Sequence, residues 1–521
     1  MSGEARTPLV VGPTAPSVAS VGAFSIAAPS ATPIECDVAV VGTGAGGAFA
    51  GTELAKAGRR VVFLEAGDAW GVRDFQEPSL PRAARTLFQH RVVGQMTRGA
   101  LPIMLLSSRA LGGSTIQNSA ICFRPPDERL VEWAGLAEAP WLLPDAMRPV
   151  VDEVWRRVGV TATHLGNGRR HNDLLRLGLE RLGGIRHAWM DRNAPGCIGA
   201  GVCHLGCPSG GKASMDRAVL PEAVNHGATI LTRARVDGVI VEGGRATGVE
   251  VRCLDEHARP RGTLRVRASQ VVLAGGALGS PLVLQASGLG GAQVGRHLSV
   301  HPGLFVAAEF AEPVVLWDGV PQGYYAFDPE DPRAVLETVN IGPAELFALF
   351  GRAAPEGYAA LGQMKHLALS GVMVRDVGGG RVTLADDLRP NIDYELHPGD
   401  LAAFRAGGRT LVRAYFAAGA KRVAPGVVPL KFHDTEEAAI EALEALMEPE
   451  HMAQAHASHP HGTCRMGPAT GPRAGVVDGA GKVHGVEGLH ILDGSIFPST
   501  LGVNPQITIM SMALALSRRL L

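Results

Sequence analysis

The sequence predicts an α/β fold of two interleaved domains, one with a Rossmann-like parallel sheet and one, α+β, built on an antiparallel sheet. Three observations predict it. A short apolar strand runs straight into a glycine-rich turn and a small-residue helix; α/β texture returns after residue 218; and alternating strands fill the stretch between about residues 303 and 452.

The first 33 residues are rich in Ala, Pro, Ser and Val and read as a flexible tail, without the basic start and compact apolar block of a standard secretory signal. Order is expected from Ile34, where Asp37-Val38-Ala39-Val40-Val41 suits a buried parallel strand. Gly42-Thr43-Gly44-Ala45-Gly46-Gly47 then opens a helix through Ala57, Gly58 ends it, and Arg60–Leu64 forms the next strand. This is a βαβ unit in which Gly42, Gly44 and Gly47 hold the G-x-G-x-x-G spacing: a tight turn, close approach of a pyrophosphate, and tight helix-on-strand packing. Glu65 ends the second strand, where a carboxylate can accept hydrogen bonds from a ribose diol. By itself the motif leaves NAD and FAD open.

Further along, strands are expected at Thr229–Leu231, Val236–Val241, Ala246–Val251 and Val271–Leu273 as the chain returns to the first domain. The second domain is expected over 303–455, with strands Leu367–Val374, Arg381–Leu384 and Ile392–Leu396. Helices over about 400–418 and 436–447 would cover its sheet. Residues 456–521 read as a further return to the first domain, which spans 34–302 with an insertion at about 120–195.

Composition excludes several classes of partner. With 49 basic and 50 acidic residues, net charge −1, the chain has no electrostatic footprint for nucleic acid or an anionic membrane surface. It contains no uninterrupted apolar run of 18 residues, so no transmembrane segment is expected. Seven cysteines spread over 521 residues argue against a disulfide framework and make a cytoplasmic location the expectation.

Arg109-Ala110-Leu111-Gly112-Gly113-Ser114-Thr115-Ile116-Gln117-Asn118 resembles the first signature of the glucose-methanol-choline (GMC) oxidoreductases, and Ala274-Gly275-Gly276-Ala277-Leu278-Gly279-Ser280-Pro281 resembles the second. Val294–Pro302, His459-Pro460-His461-Gly462-Thr463-Cys464-Arg465-Met466-Gly467, Leu492–Pro498 and Gly502–Gln506 are similar to further family segments in the same order. The resemblance implies FAD, with Gly112, Gly113, Asn118 and Ser119 at the flavin or its phosphates, Val236 at adenine, and Asp493, Gly494 and Gln506 also at the cofactor. Gln117 stands where some relatives carry a histidine covalently joined to flavin; an amide cannot make that bond, so FAD is expected to be noncovalent.

The resemblance also implies a catalytic pair, His459 and Asn504. Alcohol oxidation needs a base for the hydroxyl proton as the α-hydride leaves, and a histidine suits neutral pH. Asn504 would donate its amide N–H to the substrate oxygen, setting the α-carbon against flavin N5. Pro505 would open a final helix whose positive end faces the flavin. His461 and His456 are the rivals of His459, and His301 reads as structural.

The expected reaction is oxidation of a CH–OH group, in a small-molecule and hydrophobic alcohol, to an aldehyde or ketone. Val374-Arg375-Asp376, Gly380–Leu384 and Ile392-Asp393-Tyr394 support it by their similarity to long-chain alcohol oxidases of the family. Oxygen or another electron acceptor would complete the cycle. Two alternatives stand beside it: a dehydrogenase passing electrons through an iron–sulfur cluster on Cys197, Cys203 and Cys207 to a protein or quinone, and a hydroxynitrile lyase with non-redox FAD. No metal is expected, and the three cysteines are read as structural thiols.

Overall fold

The computed structural model describes residues 24–88, 95–163, 165–350, 360–452 and 455–521. Its first sheet grows from the strand Ile34–Val41, whose Val38–Val41 end is buried on both faces. Val61–Leu64 and Thr229–Thr232 pair parallel on one side, and Pro260–Leu273 pairs parallel on the other. The C-terminal half of that long strand also holds Leu489–Ile491 in parallel, while its N-terminal half pairs antiparallel with Arg245–Leu254, which pairs in turn with Ala234–Glu242.

The sequence predicts only Val271–Leu273 of the long strand. Its earlier half alternates, with Arg261, Arg265 and Arg267 outward and Leu264, Val266 and Ala268 inward, as a half-solvated antiparallel strand should. The expected tail is also revised. Residues 1–23 lie outside the described residues, but Phe24–Ile26 forms an edge strand parallel to Thr229–Thr232, so pairing begins before Ile34.

The helix Ala45–Lys56 lies directly on this sheet because it is made of small residues; a Cβ on Gly51 would meet the Phe63 ring at 2.3 Å. The final helix, Gln506–Ser517, packs against it and is apolar all round, as an enclosed helix must be.

The second sheet runs in space Gln95–Met96, Met104–Leu105, His456–Ala457, Gly303–Glu309, Leu367–Val374, Ala334–Thr338, Tyr324–Phe327, His187–Trp189, with Arg422–Ala424 also on Gly303–Glu309. All its pairs are antiparallel except Met104–Leu105 with His456–Ala457. Helix Pro398–Ala417 covers this sheet, and Glu436–Leu446 packs on that helix, with Leu443 against Gly408. The insertion at 120–195 is divided. Helix Pro144–Arg157 packs against the final helix, whereas Leu165–Leu182 crosses Pro398–Ala417 so closely that a Cβ on Gly178 would sit 2.0 Å from the Ala414 carbonyl. Strands from the front of the chain thus complete the second sheet, and the two sheets meet around one cavity.

Candidate active site

A cavity of about 780 Å³ runs from the glycine-rich turn at Gly42–Gly46 to His459 and Asn504. That size lies within the range of cofactor and ligand sites, roughly 300–1,000 Å³. Its first end is built by backbone contact. Gly42 has φ +101°, and a Cβ there would lie 2.4 Å from the Ala274 carbonyl oxygen; a Cβ on Gly113 would lie 2.7 Å from Gly44 Cα. Only glycine lets these three segments converge.

Gly47 and Gly112 stand just behind the cavity wall, Gly47 in the helix-on-strand packing that the motif's third glycine provides. A Cβ on Gly47 would strike the Gly42 carbonyl at 2.1 Å, and Gly112, at φ +95°, donates its N–H to Thr43 Oγ1. They hold the wall from behind. Gly46, which the spacing rule passes over, is as constrained: a Cβ would lie 2.0 Å from the Leu492 carbonyl oxygen.

Glu65 lines the cavity, and its carboxylate accepts from the Thr43 N–H and hydroxyl and from the Gly67 N–H. Burial raises its pKa; the Thr43 and Gly67 bonds oppose the rise. Asp493 accepts from Gly276 N–H, Ser280 Oγ and Ser495 N–H, tying the 274–281 turn to the closing segment while lining the same wall with Gly494. Val236 and Ser119 are on the wall as well. Gln506 accepts from Asn118 Nδ2 at 2.9 Å and donates to the Ile121 carbonyl at 2.6 Å and to Asn193 Oδ1 at 3.1 Å. Its amide is therefore committed to fixing the loop that carries Asn118.

At the other end Asn504 Nδ2–H donates to His459 Nε2 at 3.3 Å. The Nε2 lone pair is the acceptor, so the neutral ring carries its proton on Nδ1. Burial and the neighbouring His461 and His456 lower the His459 pKa to about 3, which keeps the imidazole unprotonated at neutral pH.

The rivals are separated by their bonds. His461 Nδ1–H donates to the His459 carbonyl at 2.6 Å, and its Nε2 accepts from Leu501 N–H at 3.3 Å, so both nitrogens are used in positioning its neighbour. His456 is stacked on Phe305, centroids 4.2 Å apart. His301 Nε2 accepts from Gly502 N–H at 2.9 Å, which anchors the chain two residues before Asn504, yet its ring also faces the cavity.

Glu337 was not legible as a site residue. It lies in the buried strand Ala334–Thr338 and faces the cavity with Oε1 unpartnered, while Oε2 accepts from Gln322. Burial, opposed by Asn504 and Gln322, raises its pKa to about 7. Apolar side chains make up much of the surrounding wall, Phe88, Phe305, Val339, Val372, Met373 and Leu388, with Gln322, Asn340 and the His204–Glu345 pair among them.

The donor set fits a large polar cofactor. Gln117 Oε1, Ser107 Oγ, Ser108 Oγ, Asn504 Oδ1 and His459 Nδ1 are buried without protein partners and lie on this one wall. Buried polar atoms left so are costly unless a ligand meets them. The cysteine segment offers no comparable set. Among the described residues no three His, Cys, Asp or Glu side chains have metal-holding geometry, and the Arg192 guanidinium bonds the sulfurs of both Cys197 and Cys203, which gives the iron–sulfur alternative no support.

The chain is 35% identical over 508 residues to an uncharacterised GMC-type oxidoreductase of Mycobacterium tuberculosis, covering 95% of this chain and 77% of that one. It is 31% identical over 517 residues to a long-chain-alcohol oxidase of Arabidopsis thaliana, covering 94% and 67%. In fold it is similar to pyridoxine 4-oxidase from Mesorbium loti, with a TM-score of 0.70 at 20% identity over 93% of this chain and 99% of that one. A formate oxidase variant of Aspergillus oryzae gives a TM-score of 0.70 at 16% identity over 94% and 98%. Residues 41–303 match the N-terminal profile, and residues 377–513 the C-terminal profile, of the GMC oxidoreductases. The chain belongs to the GMC oxidoreductase family, and with it to the FAD-linked oxidoreductases.

Proposed function

We propose that this protein oxidises the CH–OH group of a hydrophobic alcohol to an aldehyde or ketone, with noncovalently held FAD as the immediate oxidant. The observation that carries the reading is the His459–Asn504 pair, 3.3 Å apart, in a cavity that also reaches the glycine turn and is lined by Phe88, Phe305, Val339, Val372 and Met373. Similarity to a long-chain-alcohol oxidase supports the substrate class.

In this reading Gly42, Gly44, Gly113, Asn118, Ser119, Val236, Asp493 and Gly494 form the cofactor wall, and Glu65 takes the ribose diol. Gln117, on the same wall, would offer the cofactor an amide, which forms no covalent link. FAD, once bound, supplies the acceptor for the α-hydride. The substrate hydroxyl enters between Asn504 and His459: the amide N–H holds the oxygen, and the Nε2 lone pair takes its proton. His461 fixes the His459 backbone, so the imidazole meets the substrate in one orientation. Glu337, neutral below about pH 7, donates a hydrogen bond into the same space. The N-terminus of helix Gln506–Ser517, opened by Pro505 at the cavity, favours negative charge there.

Oxygen or another acceptor completes turnover, and a cytoplasmic setting is in keeping with seven free cysteines. The test is anaerobic mixing of the purified yellow protein with a panel of alcohols of increasing chain length. Bleaching of the flavin by medium and long aliphatic alcohols is expected. No bleaching by any alcohol, with the flavin competent toward dithionite, would overturn the assignment.

A further inference from the structure

Arg192 is 3% exposed and Lys212 is 2% exposed, and among the described residues neither has a carboxylate within ion-pair distance. Burying a cation without a counter-charge is expensive. The groups that do meet Arg192 are the Ser119 carbonyl, which accepts from Nε at 3.0 Å and Nη2 at 2.9 Å, and two sulfurs: Cys203 Sγ at 3.3 Å from Nη2 and Cys197 Sγ at 3.6 Å from Nη1. Cys197 Sγ also accepts from the Gly199 N–H at 3.4 Å. Lys212 Nζ donates to the carbonyls of Ile116, Asn118 and Cys203.

Both sulfurs receive N–H donors, from the guanidinium and, at Cys197, from the backbone as well, so a negative charge that develops on either during a reaction meets a fixed cation. Both cysteines are half-buried rather than enclosed, on the short turn Cys203–Leu205 and the loop before it. The four remaining cysteines outside this segment, Cys36, Cys122, Cys253 and Cys464, are buried, and burial raises their pKa values. Within the segment, burial of Cys207 is outweighed by the Ser209 hydrogen bonds and Lys212, and its pKa is lowered, but its sulfur meets no guanidinium; what sets Cys197 and Cys203 apart is that Arg192 brings their two sulfurs to one cation.

We propose that Cys197 and Cys203 form a peroxide-reactive thiol pair, organised by Arg192 directly behind the Ser119 wall of the active-site cavity. The Cys203 thiolate attacks hydrogen peroxide: an S–O bond forms, the O–O bond breaks, and hydroxide leaves and is protonated. Cys197 then attacks that sulfur; the S–S bond forms, the S–O bond breaks, and the second oxygen leaves as water. Two thiols and one peroxide give one disulfide and two waters.

The test uses the full-length holoprotein, reduced, desalted and titrated with hydrogen peroxide, followed by alkylation and peptide mapping. A dithiothreitol-reversible Cys197–Cys203 linkage at near-stoichiometric peroxide is expected, with Cys207 still free to alkylate. In Cys197→Ser the linkage should vanish and dimedone should trap the oxidised Cys203 instead. Cys207 in the linked product, or oxidation of all cysteines at a common rate, would overturn the proposal. If Cys197→Ser fails to fold, the wild-type map decides it, because loss of the linked peptide at ten equivalents of peroxide is a negative result by itself.

Discussion

At the residue level, Asn504 and Glu337 have separable tasks. Replacing Asn504 by Ala removes the donor aimed at the substrate oxygen while leaving His459 in place, and flavin reduction should slow by about 10²–10³-fold. Rapid-mixing absorbance at the flavin band would show it. Glu337 is expected to act as a neutral donor, since burial lifts its pKa to about 7. Above that value its carboxyl ionises and the donor is lost, so apparent substrate affinity should weaken between roughly pH 6 and 8. In Glu337→Gln, which donates at any pH, KM measured across that window should be flat; a wild-type-like slope would reassign the titration to another group.

The histidines show why a motif reaches a site only in part. His459, His461, His456 and His301 are equivalent as letters in a sequence. What separates them is which nitrogens are already bonded: both on His461, neither ring nitrogen of His459 to anything but the Asn504 amide. Glu337 had no motif to announce it: its strand lies between Tyr324–Phe327, just before it in the chain, and Leu367–Val374, well after it, and that pairing decides which face meets the cavity.

At the scale of elements, the glycine-rich turn is the part most legible in the sequence, because a βαβ unit is local. Gly46 shows the remainder. Its constraint comes from the Leu492 carbonyl, some 450 residues away, and no spacing rule carries that information. Gly46→Ala should therefore destabilise by about 1–3 kcal/mol through overpacking, and it should lower FAD occupancy. The flavin-to-protein absorbance ratio and thermal melting would check both. Strand Leu367–Val374 is fully buried and, but for Ser370, without a polar side chain, and was readable by composition; Gln95–Met96, Met104–Leu105 and His187–Trp189 are two or three residues long and exist because a neighbouring strand offers them an edge.

At the scale of the whole molecule, the cavity between the two sheets gathers histidines that burial holds unprotonated. His456 and His461 are lowered to about 4 and His459 to about 3, His301 falls well below its ordinary value, and His171, His297 and His490 are lowered to about 4 elsewhere. Below about pH 6.5 the unfolded chain binds protons at these rings and the folded chain does not, so stability falls as pH drops from 6.5 toward 4. Carboxyls raised by burial, Glu65, Asp191, Asp216, Glu337, Asp376, Asp400 and Asp493, act in the opposite sense, while His433 and the lowered Asp37, Glu53, Asp255, Glu312, Asp331 and Glu345 act with the histidines. Urea midpoints measured from pH 7.5 down to 4.5 should decline steadily, and a midpoint that rose on acidification would count against the enclosed histidine cluster.

These scales meet in one proton transfer at His459 Nε2. Anaerobic stopped-flow reduction of the flavin, in wild type and His459→Ala with the same alcohol, measures it most directly. Equal FAD content and a rate lower by about 10²–10⁴-fold in the variant are expected. Equal rates in the two proteins would contradict that transfer.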